Sequence, residues 1–140
     1  MPITRHSLAR IALLLALALV SVFMVVPYPA LDLLRSENPS IDEAANLLLS
    51  IVPGVDLGHV VAFGALGVLV KISYPRLPAR SAAAVLVAVA TVLELLQVWS
   101  PGRDPEVIHA LLDVIGGLSG FGFAYAVGTA LRPENTGARR

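Results

Sequence analysis

The sequence predicts an all-α integral membrane protein built as a four-helix bundle, with an extra short interfacial helix in its first outer loop. Hydrophobic residues make up 56% of the 140-residue chain and charged residues only 14%, whereas a soluble domain carries about 25% charged residues. The apolar residues gather in four long runs, and roughly 17 to 25 mainly apolar residues are needed for a helix to cross a bilayer. Because lipid offers backbone polar groups no water partner, each run is expected to be helical.

The four predicted spans lie at approximately residues 11–28, 57–74, 81–99 and 107–131 of one domain covering residues 1–140. The first span follows a basic start, as the apolar part of a signal peptide does. Its apolar run is longer than the usual ~7–15 residues, and the bulky Tyr28 stands where a cleavage site needs a small residue. We therefore expect a retained anchor helix, with cleavage as the alternative.

The long loop after the first span carries a helix signal of its own. Ser40 is followed three residues later by Glu43 and then by the apolar stretch AANLLLSIV, which together predict a capped helix at approximately 41–51. The stretch is too short to span, so it is expected to lie along the outer membrane surface, or alternatively to pack on the bundle. Pro53 and Gly54 end it.

The distribution of Lys and Arg sets the predicted orientation, because these residues concentrate on the cytoplasmic side of membrane proteins. Most of the basic residues fall in the two tails and in the loop between the second and third spans; they are Arg5, Arg10, Lys71, Arg76, Arg80, Arg132, Arg139 and Arg140. An even number of spans places both tails on one side. The sequence therefore predicts a multi-pass protein with both termini in the cytoplasm.

Polar side chains from three spans and one connection gather at the predicted outer end of the bundle. They are Asp56, His59, Glu94, Gln97, Arg103, His109 and Asp113. Glu94 and Gln97 are three residues apart, so they share a helix face, and so do His109 and Asp113, which are four apart. Ionisable groups within a membrane usually face the bundle interior or a water-filled cavity. We expect this polar cluster to point inward.

Small residues continue the face of the fourth span that carries His109 and Asp113. They recur at every fourth position, as Gly116, Gly120, Ala124 and Gly128. Such a stripe lets helix backbones approach closely. We expect the three glycines to pack this span against a neighbouring helix.

The stretch from Glu94 to Gly120 resembles the VanZ-like family of small bacterial membrane proteins. That family has Glu and, three residues later, Gln at a helix end, then a short loop with Arg, then a helix with polar residues and glycines. The matching residues here are Glu94, Gln97, Arg103, Gly116 and Gly120. An earlier family motif, Asp-Lys with His two residues further on, is matched by Asp56 and His59.

The resemblance covers roughly residues 55–125 and includes three departures. Leu57 replaces the family's Lys, His109 replaces its Asp and Asp113 replaces its Asn. The resemblance implies a protein of the bacterial cytoplasmic (inner) membrane with a role in the cell envelope. It also implies a link to glycopeptide resistance, since the family takes its name from resistance to teicoplanin.

Three kinds of function are compatible with the polar cluster. The first is binding or modification of a lipid or lipid-linked sugar at the outer face, where the planar fork of Arg103 would contact a phosphate or carboxylate. The second is a membrane-embedded enzyme that uses the carboxylates and imidazoles for acid–base chemistry on a lipid phosphate or ester. The third is a structural or partner-binding protein with a buried ion-pair network. A transporter would need oligomerisation, because four spans are few for a pathway.

The sequence assigns no catalytic residue, cofactor or metal. Cysteine is absent, and Ser100 and Ser119 lack the context of a nucleophile elbow. His109 and Asp113 form the only helical pair with ligand spacing, and no motif such as H-E-x-x-H accompanies them. The net charge of zero argues against a nucleic-acid partner. The expected partners are the lipid bilayer and a lipid or lipid-linked glycan, and a homo-oligomer is compatible with the sequence.

Overall fold

The computed structural model describes residues 5–51, 57–102 and 106–131. These residues form six α-helices and, within those ranges, no strand, which confirms the predicted all-α class. The helices are α1 (Arg5–Val25), α2 (Tyr28–Glu37), α3 (Pro39–Ile51), α4 (Leu57–Ser73), α5 (Ala79–Gln97) and α6 (Val107–Ala130). Each of the four predicted apolar runs coincides for most of its length with one helix, α1, α4, α5 or α6.

Three of these helices, α1, α5 and α6, are long and apolar enough to cross a membrane. Helix α4 is apolar but has 17 residues, so at 1.5 Å per residue it is about 26 Å long, slightly less than the ~30 Å hydrocarbon core. Large apolar side chains cover the outside of the bundle; Leu19, for example, is 70% exposed. Because so much exposed apolar surface suits lipid and not water, the chain is a membrane protein. A crossing by α4 stays a prediction.

Backbone contacts at glycines join α4 to α6. A Cβ atom on Gly120 would overlap the carbonyl of Gly64, and one on Gly116 would overlap the backbone of Val60. A Cβ atom on Gly67 would overlap the carbonyl of Gly117. Contacting residue numbers rise together along the two helices, so α4 and α6 run parallel with their backbones touching, as small residues allow.

The packing stripe predicted on α6 differs from the observed one at Gly128. This residue is exposed, and a Cβ atom added to it meets nothing within 4 Å. The physical reason is that α4 ends at Ser73, close to the level at which Lys71 lies against the ring of Tyr125. Gly128 follows that level, so no turn of α4 faces it.

Hydrophobic side chains of α1, α4 and α5 fill the interior next to this helix pair. The buried members of the larger cluster are Met24, Phe63, Leu66, Leu86, Ala90 and Leu93. Val70, Ala82 and Phe121 form a second cluster. After α5, the Ser100 hydroxyl donates a hydrogen bond of 2.7 Å to the carbonyl of Val25, which joins the ends of α5 and α1. Gly102 then turns the chain toward α6 with a φ of 78°, a conformation that favours glycine.

The loop after α1 contains two helices, α2 and α3, where the sequence predicts one. Helix α2 begins with Tyr28 and Pro29, and proline is favoured at the first helical positions because its missing N–H has no intrahelical partner there. Helix α3 likewise begins at Pro39, two residues before the predicted start. Ser40 therefore lies inside the first turn, and the prediction that it caps the helix is wrong.

An ion pair holds α2 against α3. The Arg35 guanidinium donates to Asp42 Oδ1 through Nε at 3.0 Å and to Asn46 Oδ1 at 2.9 Å. No residue of α2 is buried. The position of α3 along the membrane surface stays a prediction.

Basic residues occupy the end of the bundle where α1 and α5 begin, which we term the basic end. The Arg10 guanidinium lies 5.0 Å from the centre of the Tyr74 ring, and Lys71 Nζ lies 4.8 Å from the centre of the Tyr125 ring. Lys71 also donates a hydrogen bond of 2.7 Å to the carbonyl of Pro75. The start of α1 and the connection between α4 and α5 therefore share one end of the bundle.

Candidate functional site

The opposite end of the bundle, where α4 and α6 begin, carries a buried pair of ionisable side chains. We term it the polar end. His59 in the first turn of α4 is 3% exposed, and Asp113 in the second turn of α6 is 1% exposed. His59 Nδ1 lies 2.9 Å from Asp113 Oδ1, so with Nδ1 protonated the ring donates a hydrogen bond to the carboxylate. The parallel register of α4 and α6 sets this contact.

A second imidazole lies against the first. His109 precedes Asp113 by one turn of α6, and its ring stacks on that of His59 with 5.1 Å between ring centres and 23° between ring planes. His109 is half-buried. The two histidines and Asp113 therefore form one continuous polar group between α4 and α6.

The end of α5 contributes a second polar group. Glu94 is 9% exposed and Gln97 is 2% exposed. Glu94 Oε1 accepts a hydrogen bond from the backbone N–H of Glu106, the residue immediately before α6. Within the described part of the chain, Glu94 Oε2 and Gln97 Nε2 are buried without a hydrogen-bond partner. A buried polar atom left unpaired costs about 1–3 kcal/mol, so these two atoms require an explanation.

The structure describes five of the seven residues predicted for the polar cluster and places all five at the polar end. His59, Glu94, Gln97 and Asp113 are buried there and His109 is half-buried. The other two, Asp56 and Arg103, lie outside the described residues. Of the predicted packing glycines, Gly116 and Gly120 lie against α4, as described above.

Sequence reasoning does not identify two contributors to this end. Glu106 donates a hydrogen bond through its backbone N–H. Every residue except proline has this donor, so the type of side chain does not predict it. Ser100 joins α5 to α1 through its hydroxyl, and its only sequence signal is its place in the turn after a polar helix end.

The arrangement suits two kinds of chemistry. A carboxylate that accepts from one ring nitrogen of a histidine orients the imidazole and stabilises its charged form, which is how an enzyme prepares a general base. The unpaired atoms of Glu94 and Gln97 are suited to hydrogen bonding with a bound polar group. Among residues 5–51, 57–102 and 106–131, no three His, Asp or Glu side chains are grouped so as to hold a metal ion.

Comparison with known protein families matches residues 11–128 to the family described as VanZ/LLP1. The match runs from α1 almost to the end of α6 and so includes both polar groups at the polar end. Neither the curated proteins nor the solved structures contain a match. Because the family match covers well over half of the chain, the protein belongs to the VanZ/LLP1 family.

Proposed function

We propose that the chain, as a single domain over residues 1–140, is a cell-envelope protein that binds or modifies a lipid or lipid-linked sugar at its polar end. The observation that carries the proposal is the unpaired, buried state of Glu94 Oε2 and Gln97 Nε2 among the described residues. Inside a membrane, water is not available to pair such atoms. A polar group of a bound ligand would supply the missing hydrogen bonds.

Apolar side chains around the polar end support a ligand attached to lipid. Trp99 is 77% exposed and Val107 is 78% exposed, and they lie just after α5 and at the start of α6. Tryptophan is enriched at the level of lipid headgroups. A lipid tail could therefore lie along this rim while its headgroup enters the polar end.

The proposed orientation places the polar end at the outer face of the cytoplasmic membrane, with α4 as a fourth span and both termini inside. Its support is that described basic residues such as Arg10 and Lys71 share the basic end, as cytoplasmic flanks do. The chain contains no cysteine, so single-cysteine variants test it directly. We expect an impermeant maleimide to label Ser50→Cys in intact cells and Arg76→Cys only after permeabilisation. The reverse labelling would contradict this orientation.

The binding proposal is tested by mass spectrometry of the lipids that remain with the detergent-purified protein. Glu94→Gln keeps the volume of the side chain and replaces one carboxylate oxygen with an amide NH2 group. A hydrogen bond to a charged group contributes about 1.5–3 kcal/mol, so we expect roughly a tenfold or greater loss of one retained lipid class. The control is Glu37→Gln on exposed α2, which should retain the wild-type lipids. Identical lipids in wild type and Glu94→Gln, with both folded, would contradict the proposal.

A second candidate function is an acid–base enzyme acting on a lipid phosphate or ester, and the His59–Asp113 contact favours it. Such an enzyme predicts that His59→Gln retains the wild-type amount of bound lipid while conversion of that lipid is lost. If His59→Gln retains a different amount of lipid and the wild type converts none of it, the enzyme function is contradicted and only the binding function remains.

The family resemblance extends the proposal to teicoplanin resistance. We expect cells that express the wild type to tolerate more teicoplanin than cells expressing Glu94→Gln at the same protein level. If the two kinds of cell are equally sensitive to teicoplanin, the link to resistance is contradicted, and the proposal of lipid binding is unaffected.

A further inference from the structure

We propose that the group recognised by Glu94 and Gln97 is a hydroxylated, uncharged headgroup, that is, a sugar, and not a phosphate. This inference rests on the proposed function and names the chemical class of its ligand. It follows from the two unpaired atoms at the end of α5 and from the charges around them.

The two atoms form a complementary pair of hydrogen-bonding groups. Glu94 Oε2 belongs to a carboxylate whose Oε1 already accepts from the Glu106 N–H, and Gln97 Nε2 is an amide donor. Because the residues are three apart on α5, they are neighbours on one helix face. A ligand that satisfies both must donate to one atom and accept from the next.

Sugar hydroxyls have this property, since each hydroxyl both donates and accepts. The phosphate group of a diester has only acceptor oxygens, so with Glu94 ionised it would leave Glu94 Oε2 unpaired. Turning the Gln97 amide by 180° would exchange its donor for an acceptor, and the pair would then reject a phosphate even more strongly. Either orientation of the amide therefore favours hydroxyl groups over a phosphate.

The charges near Glu94 lead to the same conclusion. Among the described residues, no Lys, Arg or His forms an ion pair with Glu94; Arg35 pairs with Asp42, and His59 contacts Asp113, a contact that is an ion pair only when the imidazole is protonated. A buried carboxylate with no cationic partner among these residues repels an anionic headgroup, because like charges brought together oppose binding. An uncharged headgroup avoids this repulsion.

The test is a competition among lipids of defined composition. Delipidated protein in detergent is given equal amounts of monoglucosyl diacylglycerol, phosphatidylglycerol and phosphatidylethanolamine with the same acyl chains, and retained lipid is measured by native mass spectrometry. We expect wild type to retain the glucosyl lipid at least about tenfold over the phospholipids, which corresponds to 1.4 kcal/mol. Glu94→Gln and Gln97→Glu, each changing one of the paired groups, should each abolish the preference.

The exchanged double variant, Glu94→Gln with Gln97→Glu, is the matched control. It contains one carboxylate and one amide in reversed order, with the same net charge as the wild type. We expect it to regain part of the preference for the glucosyl lipid that the two single variants lose. A second arm adds methyl glucoside at the concentration of the lipid: displacement identifies a free sugar as the ligand, and no displacement identifies the membrane-anchored one.

Preferential retention of a phospholipid that Glu94→Gln weakens would overturn the sugar assignment and leave a lipid site in place. If the wild type shows no preference among the three lipids and Glu94→Gln retains them in the same proportions, both the sugar assignment and the proposed lipid site are overturned. If both single variants and the double variant lose the thermal unfolding transition, Glu94 and Gln97 are needed for folding. This result would also overturn the sugar assignment.

Discussion

Replacing Gly120 with alanine is expected to destabilise the protein severely, because the added Cβ atom would overlap the carbonyl of Gly64. Both groups belong to helix backbones, so relief requires α4 and α6 to separate and the clusters around them to repack. Overpacking of a core costs about 1–3 kcal/mol and occasionally more, and a backbone overlap belongs at the upper end of that range. The measurement is the midpoint of thermal unfolding in detergent. Gly67→Ala should behave alike, since its Cβ atom would overlap the Gly117 carbonyl.

Gly122→Ala is the matched control on the same helix. A Cβ atom at Gly122 meets nothing within 4 Å, and alanine favours a helix by roughly 0.8–1 kcal/mol over glycine. Its unfolding midpoint should equal or exceed that of the wild type. Equal losses for Gly120→Ala and Gly122→Ala would contradict the close contact between α4 and α6.

The second large effect is expected at the contact between His59 and Asp113. Both side chains are almost fully buried and their polar atoms lie 2.9 Å apart. Removing one partner of such a buried pair destabilises a protein by about 3–5 kcal/mol when both partners are charged. We expect His59→Ala and Asp113→Ala each to lower the free energy of unfolding by an amount approaching this range.

A double-mutant cycle isolates the contact itself. Side chains in contact show coupling energies of about 0.5–3 kcal/mol, so the double variant His59→Ala with Asp113→Ala should lose less stability than the sum of the single variants. Additive losses would contradict a direct interaction. Asp113→Asn retains an acceptor oxygen for His59 Nδ1; if it unfolds the protein as Asp113→Ala does, the charge itself has a structural role.

The helices of the bundle follow from the sequence because lipid imposes a simple length requirement. Runs of apolar residues long enough to cross a bilayer mark α1, α5 and α6, and a run of the same kind contains α4. The length requirement does not predict α2, because its sequence YPALDLLRSE mixes apolar and charged residues and none of them is buried. Its start is marked locally by Pro29, as that of α3 is by Pro39.

The candidate site is only partly predictable from the sequence. Spacings of three and four residues place Glu94 with Gln97, and His109 with Asp113, on shared faces of single helices. The contact between His59 and Asp113 requires the register between two helices, which periodicity within one helix cannot supply. That register is set by backbone contacts such as that of Gly120 with Gly64. The wrong prediction that Gly128 packs against a neighbouring helix has the same cause, because the stripe of small residues on α6 does not show where α4 ends.

The most direct test of a headgroup site at the polar end is photo-crosslinking to native lipid. A benzophenone-bearing phenylalanine replaces Val107, which is 78% exposed at the start of α6, or Val22, which is 61% exposed on α1 toward the same end. Crosslinked lipids are identified by mass spectrometry after irradiation in native membranes. We expect one headgroup class, a lipid-linked sugar, to be enriched at position 107 over position 22. The same lipid classes in the same proportions at both positions would contradict it.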